Sequence, residues 1–308
     1  MSAARVAIVG VGHVGGAAAF ALTLASFADQ LLLVDVDPKK RDAQVRDVSD
    51  AAYSSNSRTL VRAGTCREAS QCDIIVITVG SKFALGQTTI ELTYRNISIV
   101  QSLIKEMAPF QKDAVLIVVS NPVDLLATLV QQASGLPASQ VIGSGTFLDS
   151  VRLRGMVTEY TKVPAKSIHL FVLGVHGEHQ VVAWSRATIG SMPIDEALAK
   201  DNSVLDHQQL EKDYKNQSKE IIQAKGSMPF GIGTIITCLC SSIIFNKRNV
   251  LPVSHFQPRF GCYLSMPAAV GRRGIAQSFP ILLDKDEDNR LSDSAKALKS
   301  NLDRISKF

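Results

Sequence analysis

The stretch that decides the fold is RVAIVGVGHVG, residues 5–15. A short apolar run is followed at once by Gly10, Gly12 and Gly15 in the spacing G-x-G-x-x-G, and then by alanine-rich sequence typical of a helix. In this setting the first glycine permits a tight turn, the second lets a pyrophosphate approach, and the third lets helix and strand pack closely. Because a helix N-terminus offers unpaired N–H groups, the stretch predicts a dinucleotide-binding loop.

A carboxylate ends the second apolar run of the chain. Asp35 follows Gly15 by twenty residues (35 − 15), where an acidic side chain binds the ribose hydroxyls of NAD and repels the 2′-phosphate of NADP. We therefore predict that NAD is the cofactor, and we expect the side chain of His13 to be exposed rather than catalytic. The predicted cofactor-binding residues are Gly10, Gly12, His13, Val14, Gly15, Asp35, Val79 and Gly80.

Apolar runs alternate with helix-like segments through the first half of the chain. The runs at 6–9, 31–34, 74–79 and 115–119 lack polar alternation, as expected for strands buried on both faces of a parallel sheet. Helices are predicted over 16–28 and 90–107 between them. This alternation predicts an α/β fold, a Rossmann doubly wound parallel sheet.

The second half has a different pattern, which predicts a mixed α+β domain. Helices are expected over 149–160, over 208–225, after Gly231 and over 292–307, with strands over 169–173, 180–185 and 259–266. The segment at 143–146, Gly-Ser-Gly-Thr, interrupts the pattern. We expect an NAD-binding Rossmann domain over 1–145 and an α+β substrate domain over 146–308.

Composition excludes several classes of protein. The 308 residues are 46% hydrophobic and 20% charged, with a formal net charge of +5 and scattered basic residues. This argues against disorder, collagen and a dedicated nucleic-acid binder. No apolar run reaches the roughly 18 residues that cross a bilayer. The five cysteines fit no disulfide framework or metal site, so we expect a cytoplasmic protein with reduced thiols and no metal.

Four polar residues indicate proton transfer next to a bound carboxylate. His176 follows an apolar run, and Asp149 and Arg152 lie three apart on one face of a predicted helix. An aspartate on one imidazole nitrogen raises the histidine pKa and leaves the other nitrogen for proton transfer, while an arginine clamps a carboxylate. Asn121 follows a strand at the sheet edge where ligands gather, so its amide is placed to orient a carbonyl or the nicotinamide.

With these residues, the sequence resembles the L-lactate/malate dehydrogenase family along nearly its whole length. It is more similar to the lactate and branched 2-hydroxyacid dehydrogenases than to the cytosolic malate dehydrogenases. The matching segments are GVGHVG (10–15), VSNPVD (119–124), IGSGTFLDSVR (142–152), GVHG (174–177), VAWS (182–185), KG (225–226) and YLSMP (263–267). The resemblance implies hydride transfer between NADH and the 2-carbon of a 2-oxo acid. It implies that His176 donates the proton, Asp149 partners it, Arg152 clamps the substrate carboxylate and Asn121 contacts substrate and cofactor.

The same resemblance implies a homo-oligomer, a dimer or tetramer, with a small 2-oxo or 2-hydroxy acid as its partner and no nucleic acid or membrane. Departures from the family fall on the loop over the substrate. The specificity position is Phe83, where lactate enzymes have glutamine and malate enzymes arginine. Phenylalanine cannot pair with a second carboxylate, so oxaloacetate is disfavoured as a substrate. The loop's carbonyl-polarising arginine falls on Thr89, and Lys82 is the cation that could substitute. Met228 replaces a threonine near the substrate, so we expect an enlarged apolar pocket.

Three hypotheses follow. The leading one is an NAD-dependent L-2-hydroxyacid dehydrogenase, similar to lactate dehydrogenase, for an apolar or bulky 2-oxo acid. The second is a repurposed NADH-dependent reductase of a non-standard carbonyl or imine. Such a substrate would need less carbonyl polarisation than the family's arginine gives, which would explain Thr89. The third is a catalytically weak NAD-binding sensor or interaction protein, which only Thr89 supports.

Overall fold

The structure is a computed structural model that describes residues 4–81, 88–199 and 204–305, without the side chain of Thr89. The strands in these ranges are β1 (Arg5–Val9), β2 (Gln30–Val34), β3 (Leu60–Ala63), β4 (Ile74–Ile77), β5 (Val115–Val118), β6 (Val141–Gly143), β7 (Ile168–His169), β8 (Val172–Gly174), β9 (Gln180–Val182), β10 (Thr188–Ile189), β11 (Met192–Pro193), β12 (Asn249–Gln257), β13 (Cys262–Gly271) and β14 (Gly274–Ser278).

The helices in the same ranges are α1 (His13–Ala25), α2 (Pro38–Ser54), α3 (Cys66–Ala69), α4 (Thr89–Met107), α5 (Val123–Ser134), α6 (Phe147–Thr161), α7 (Ile194–Ala199), α8 (His207–Lys225), α9 (Pro229–Ile244) and α10 (Lys285–Ile305). Within the described ranges no single helix is long and apolar enough to cross a membrane, although the bent pair α8 and α9 together has the length and composition.

One sheet runs through both halves of the chain. Its order is β3-β2-β1-β4-β5-β6-β12-β13-β8-β9, with β14 paired to β13. The first six strands pair in parallel and the rest antiparallel, and the two parts join where Gly143 of β6 pairs with Ser254 of β12. The predicted doubly wound parallel sheet with a mixed second part is confirmed.

Both faces of the parallel sheet are covered, which explains its continuous apolar strands. Along β1, Val6 and Ile8 pack into the apolar cluster that contains α1 and α9 residues, whereas Ala7 and Val9 pack into the cluster that contains α4 and α5 residues. Successive side chains of a strand point to opposite faces, so both sets must be apolar.

Several elements differ from their predicted bounds. Helix α1 begins at His13 inside the glycine loop and ends before Ser26, whose φ of 52° is left-handed. The strand predicted over 169–173 is divided between β7 and β8, which belong to different sheets. Helix α10 begins at Lys285, with three acidic residues in its first turn that suit the positive end of a helix dipole.

The strand β12 has no counterpart in the sequence predictions. It is nevertheless central, lying between β6 and β13. Pro252 lies within it and faces Pro267 of β13, and proline is rare inside central strands because it cannot donate to the ladder. Pro252 therefore interrupts the residue pattern that predicts a central strand.

Candidate active site

The carboxyl ends of the parallel strands carry the predicted cofactor residues. Gly10 follows β1, Asp35 follows β2, and Val79 and Gly80 lie two and three residues after β4. The N–H of Gly10 donates to the carbonyl of Val34 at 2.7 Å. The structure thus brings these residues to one edge of the sheet.

The three loop glycines have different physical roles. A Cβ on Gly15 would lie 2.0 Å from the carbonyl oxygen of Gly10, and Gly10 itself has a φ of +93°. A Cβ on Gly12 would meet only the Lys40 Nζ, at 3.9 Å. Packing within the protein therefore demands glycine at 10 and 15, while the open space at Gly12 fits a pyrophosphate at the N-terminus of α1.

Asp35 is held in place by the phosphate loop. Its Oδ2 accepts from the Val11 N–H at 2.8 Å and lies 3.2 Å from the Lys40 Nζ, and its Oδ1 accepts from the Asp37 N–H at 3.1 Å. Burial alone would raise the pKa of Asp35, but these N–H groups and Lys40 outweigh it and lower the pKa. The pKa shift favours the ionised carboxylate, and these contacts hold it in one orientation.

The remaining loop residues occupy the borders of this site. His13 is exposed, and its Nδ1 lies 3.5 Å from the Ser227 hydroxyl just before α9. Val14 is partly buried against the α1 and α9 cluster. Asn96 of α4 connects the segments that follow β4 and β5. Its Oδ1 accepts from the Ser81 N–H at 2.9 Å, and its Nδ2 donates to the Asn121 carbonyl at 2.9 Å.

His176, Asp149 and Arg152 are brought together although they come from two elements. The His176 Nδ1 lies 2.8 Å from the Asp149 Oδ2, and the Arg152 Nη1 lies 4.0 Å from the Asp149 Oδ1. The side chain of Asp149 is only 4% exposed, whereas 29% of His176 remains exposed. The hydrogen bond at Nδ1 leaves Nε2 of His176 for a reacting group.

The charge on Asp149 controls the protonation of His176. Burial would lower the pKa of His176, but the adjacent Asp149 carboxylate outweighs burial and raises it. Burial likewise opposes ionisation of Asp149, but His176 and Arg152 outweigh it and lower the Asp149 pKa. The pair therefore favours an imidazolium beside a carboxylate, and the imidazolium can act as a proton donor.

The backbone around His176 is fixed by groups distant in sequence. The His176 N–H donates to the Asp124 Oδ2 at 2.8 Å, and the Val175 N–H donates to the Ser294 hydroxyl at 2.9 Å. Burial raises the pKa of Asp124, which lines the base of the site. These contacts position the imidazole without touching a reacting atom.

Arg152 is placed by two side chains. Its Nη1 donates to the hydroxyl of Ser218 on α8, and its Nη2 lies 3.3 Å from the Met228 sulfur at the start of α9. The Arg152 side chain is 9% exposed. Met228 therefore contacts Arg152, the predicted carboxylate clamp. The sequence prediction placed Met228 in the apolar pocket for the substrate, whereas this contact places it nearer the predicted reacting end.

The other predicted substrate residues are only partly described. Asn121 is exposed just after β5, and its side-chain amide makes no hydrogen bond to any residue in the described ranges. Lys82 and Phe83 lie outside the described residues. Thr89 opens α4, but its side chain also lies outside them. In the described part of the chain, no cluster of three or more His, Cys, Asp or Glu could hold a metal ion.

Four residues at this site are not among those predicted from the sequence: Lys40, Asn96, Asp124 and Ser218. Asp124 lies within the matching segment at 119–124, so a signal for it existed, whereas Asn96 lies in none of the matching segments. Lys40 and Ser218 carried none, because each is a polar residue on a mostly polar helix and acts through a contact made in the fold.

Comparisons with known proteins identify the relatives of this chain. Two family models match: the lactate/malate dehydrogenase NAD binding domain over residues 4–143, and the lactate/malate dehydrogenase alpha/beta C-terminal domain over 146–308. The L-lactate dehydrogenase A of Rhizopus oryzae is 42% identical, covering 96% of this chain and 91% of the relative. An L-lactate dehydrogenase of Clostridium botulinum (strain Loch Maree) is 33% identical, covering 98% of this chain and 97% of the relative.

Solved structures give the same result. A lactate dehydrogenase from a Medee basin deep-sea metagenome library superposes with a TM-score of 0.95 at 30% identity, covering 99% of this chain and all of the other. A minor L-lactate dehydrogenase from Enterococcus mundtii in the ligands-bound form superposes with a TM-score of 0.94 at 32% identity, covering 99% of both chains.

Two alanine substitutions in the loop should separate folding from cofactor binding. Gly15→Ala should lower the free energy of unfolding by about 1–3 kcal/mol, because the added methyl group meets backbone. Gly12→Ala should leave stability unchanged and weaken NADH binding, since its methyl group fills the open space. Thermal unfolding and NADH fluorescence titration measure the two effects. Equal loss of stability in both variants would contradict this division of roles.

The pH dependence of the reaction should report the Asp149–His176 pair. In reduction of a 2-oxo acid, kcat/KM should fall at a pH above the ordinary histidine pKa of about 6.5, because the raised His176 pKa keeps the proton donor charged. In Asp149→Asn the fall should move to lower pH, since burial then dominates. Asp195→Asn removes the carboxylate of the remote pair with His207 and is the control. An unmoved profile in Asp149→Asn would reject the pairing.

Proposed function

The chain belongs to the lactate/malate dehydrogenase family, and on that premise we propose which residues perform its reaction and which substrates it takes. It is an NAD-dependent oxidoreductase that acts on the CH–OH group of a 2-hydroxy acid, with NAD as its cofactor and a small molecule as its substrate. The observation that carries the assignment of roles is the 2.8 Å contact of His176 with Asp149, beside Arg152.

His176 acts as the proton donor and acceptor. Asp149 keeps the imidazole charged and oriented, so Nε2 holds the proton that passes to the carbonyl oxygen of a 2-oxo acid. Bound NADH supplies the hydride at the neighbouring carbon. Arg152 binds the substrate carboxylate, and the contacts with Ser218 and Met228 fix the direction of its guanidinium. The amide of Asn121, exposed at the end of β5, orients the carbonyl or the nicotinamide.

The loop Gly10, Gly12, His13, Val14 and Gly15 binds the cofactor diphosphate, and Asp35 binds the adenosine ribose. Val79 and Gly80 form the border toward the nicotinamide. The open space at Gly12 and the ionised, oriented carboxylate of Asp35 support these roles. Because Asp35 repels a 2′-phosphate, NAD is preferred to NADP.

The substrate is an apolar or bulky 2-oxo acid rather than oxaloacetate. Phe83 at the specificity position of the family cannot pair with a second carboxylate, and Met228 supplies an adaptable apolar surface. Thr89 carries no charge at the position of the family's polarising arginine, and Lys82 is the cation of the loop. We expect lower rates than an arginine at that position would give.

The organisation of the chain and its assembly are part of the proposal. The chain divides into a cofactor part, 1–145, and a substrate part, 146–308. It assembles as a homodimer or homotetramer, which is supported by large exposed apolar side chains on neighbouring helices: Phe20 and Leu24 of α1, Val151 of α6 and Phe230 of α9. A cytoplasmic location is supported by the five free cysteines.

The decisive experiment is NADH oxidation across pyruvate, oxaloacetate, 2-oxoisocaproate and phenylpyruvate. We expect turnover with preference for the bulky acids, and we expect His176→Asn to abolish turnover while NADH still binds. NADH binding without turnover of any 2-oxo acid would reject the proposal. Activity confined to carbonyls without a carboxylate, insensitive to Arg152→Ala, would favour a repurposed reductase.

Thr89→Arg should raise kcat on small 2-oxo acids, by up to about 10²-fold, because one preorganised cationic donor at a developing oxyanion is worth that much. Thr89→Gln is the matched control, since it donates a hydrogen bond without charge and should give a smaller gain. The measurement is steady-state NADH oxidation with pyruvate. No gain in either variant would mean that this loop closes differently from that of the family.

A further inference from the structure

A second buried carboxyl group lies against His176, besides that of Asp149. Asp124 is the second residue of α5 and is 2% exposed. Its Oδ2 accepts from the backbone N–H of His176 at 2.8 Å. Because the two residues are 52 apart in sequence, this contact ties the start of α5 to the loop that carries the proposed proton donor.

Asp124 differs in charge from the other group that supports the same loop. The N–H of Val175 donates to the hydroxyl of Ser294 on α10 at 2.9 Å, and the N–H of the next residue, His176, donates to Asp124. Consecutive N–H groups are therefore held by a neutral hydroxyl and by a carboxyl group. The Ser294 contact shows that a neutral acceptor can hold this backbone, so the carboxyl group supplies something that a hydroxyl cannot, a negative charge.

The surroundings of Asp124 stabilise its charge mainly from the side of His176. Burial raises the pKa of Asp124, whereas Ser254 of β12, the His176 N–H and the charge on His176 lower it. Neither the Asp124 Oδ1 nor the Ser254 hydroxyl has a well-formed hydrogen bond to any residue in the described ranges. Asp124 also lies in the first turn of α5, where the helix dipole favours a negative charge. The carboxylate is thus stabilised by the residue whose backbone it holds.

The charges of Asp124 and His176 support each other. Burial lowers the pKa of His176, but the carboxylate of Asp149 and then that of Asp124 oppose burial, and the pKa is raised. An interaction between two titrating groups acts on both of them, so an ionised Asp124 favours the imidazolium and the imidazolium favours an ionised Asp124. Arg152 opposes this effect, because its positive charge lowers the His176 pKa.

Other titratable groups surround the two residues. Tyr94 of α4, His179 of the loop after β8 and Arg304 of α10 line a cavity of about 320 Å³ that adjoins them. Cys262 of β13 senses the charge of Asp124, but burial raises the pKa of its thiol to about 11, so the thiol is neutral near pH 7. All of these groups are unchanged in the substitutions below, so a shift caused by those substitutions reports Asp124 itself.

We propose that Asp124 is a positioning residue of the reaction, which holds the His176 backbone and acts as the second counter-ion of its imidazolium, beside Asp149. The proposal rests on the proposed function, in which His176 exchanges a proton with the substrate. After His176 has given its proton to a 2-oxo acid, both carboxylates are left without the imidazolium charge. They therefore favour uptake of a proton from water by His176, which prepares the site for the next reduction.

The substitution Asp124→Asn removes the charge and can keep the contact. The amide oxygen can accept from the His176 N–H, and the NH2 group can donate to the Ser254 hydroxyl. The measurement is kcat/KM against pH in both directions of the reaction. The fall for reduction of a 2-oxo acid and the rise for oxidation of the 2-hydroxy acid should both move to lower pH, because both report the protonation of His176. The move should be smaller than in Asp149→Asn, whose carboxylate contacts the imidazole directly.

Ser294→Ala is the matched control, because it removes the neutral hydrogen bond to Val175 from the same loop. It should lower the rates at every pH and leave both midpoints in place. Asp124→Glu keeps the charge and should also keep both midpoints, even where its longer side chain lowers the rates. Profiles of Asp124→Asn that coincide with those of the native protein would overturn the proposal, since His176 would then sense no charge at this position. A uniform loss of rate with unmoved midpoints would also overturn it, because the role of Asp124 would be structural alone.

NMR titration of the imidazole distinguishes failure of this proposal from failure of the proposed function. The signal of His176 is assigned by its loss in His176→Asn. Asp124→Asn should lower the pKa of His176 whether or not any 2-oxo acid is reduced. Turnover with an unmoved His176 pKa would reject the role of Asp124 alone, and a lowered pKa without turnover would reject the proposed reaction alone.

A reciprocal measurement does not depend on the folding of any Asp124 variant. In His176→Asn the carboxyl carbon of Asp124 should titrate at a higher pH than in the native protein, because the imidazolium charge that favours its ionisation is gone. An Asp124 titration that is the same in both proteins would contradict the pairing of the two charges.

Discussion

The buried carboxylate of Asp149 is the group on which the arrangement of the site depends. One oxygen contacts His176, from the loop after β8, and the other faces Arg152 on its own helix. A charged carboxylate that is 4% exposed carries a large desolvation cost unless positive groups surround it. Compensation of this one charge therefore brings His176 and Arg152 together and favours the charged form of His176.

The two halves of the chain supply a common framework for this pair. The sheet continues from β6 into β12, and α9 of the second half packs on α1, where a Cβ on Gly233 would lie 3.0 Å from the backbone of Ala17. The phosphate loop precedes α1, and Met228 precedes α9. The predicted cofactor loop and Met228, which contacts Arg152, are thus attached to opposite members of one close helix pair.

The residues shared with the family and the departures of this chain from it have different parts in the proposed reaction. His176, Asp149 and Arg152 lie on packed elements and are fixed by buried partners. The departures from the family, Phe83, Thr89 and Met228, are the residues that the proposal assigns to substrate choice. The residues proposed for the reaction are therefore not those proposed for substrate choice.

The sequence by itself determined four of the six parallel strands (β1, β2, β4 and β5), the glycine loop, the position of Asp35 and the helix that carries Asp149 and Arg152. Each of these depends on spacing along a short stretch of chain. Only the tertiary structure decided the central position of β12 despite Pro252 and the contact of Ser218 with Arg152. Ser218 follows Arg152 by 66 residues. Such pairs are specified by packing between elements, and no local periodicity records which elements meet.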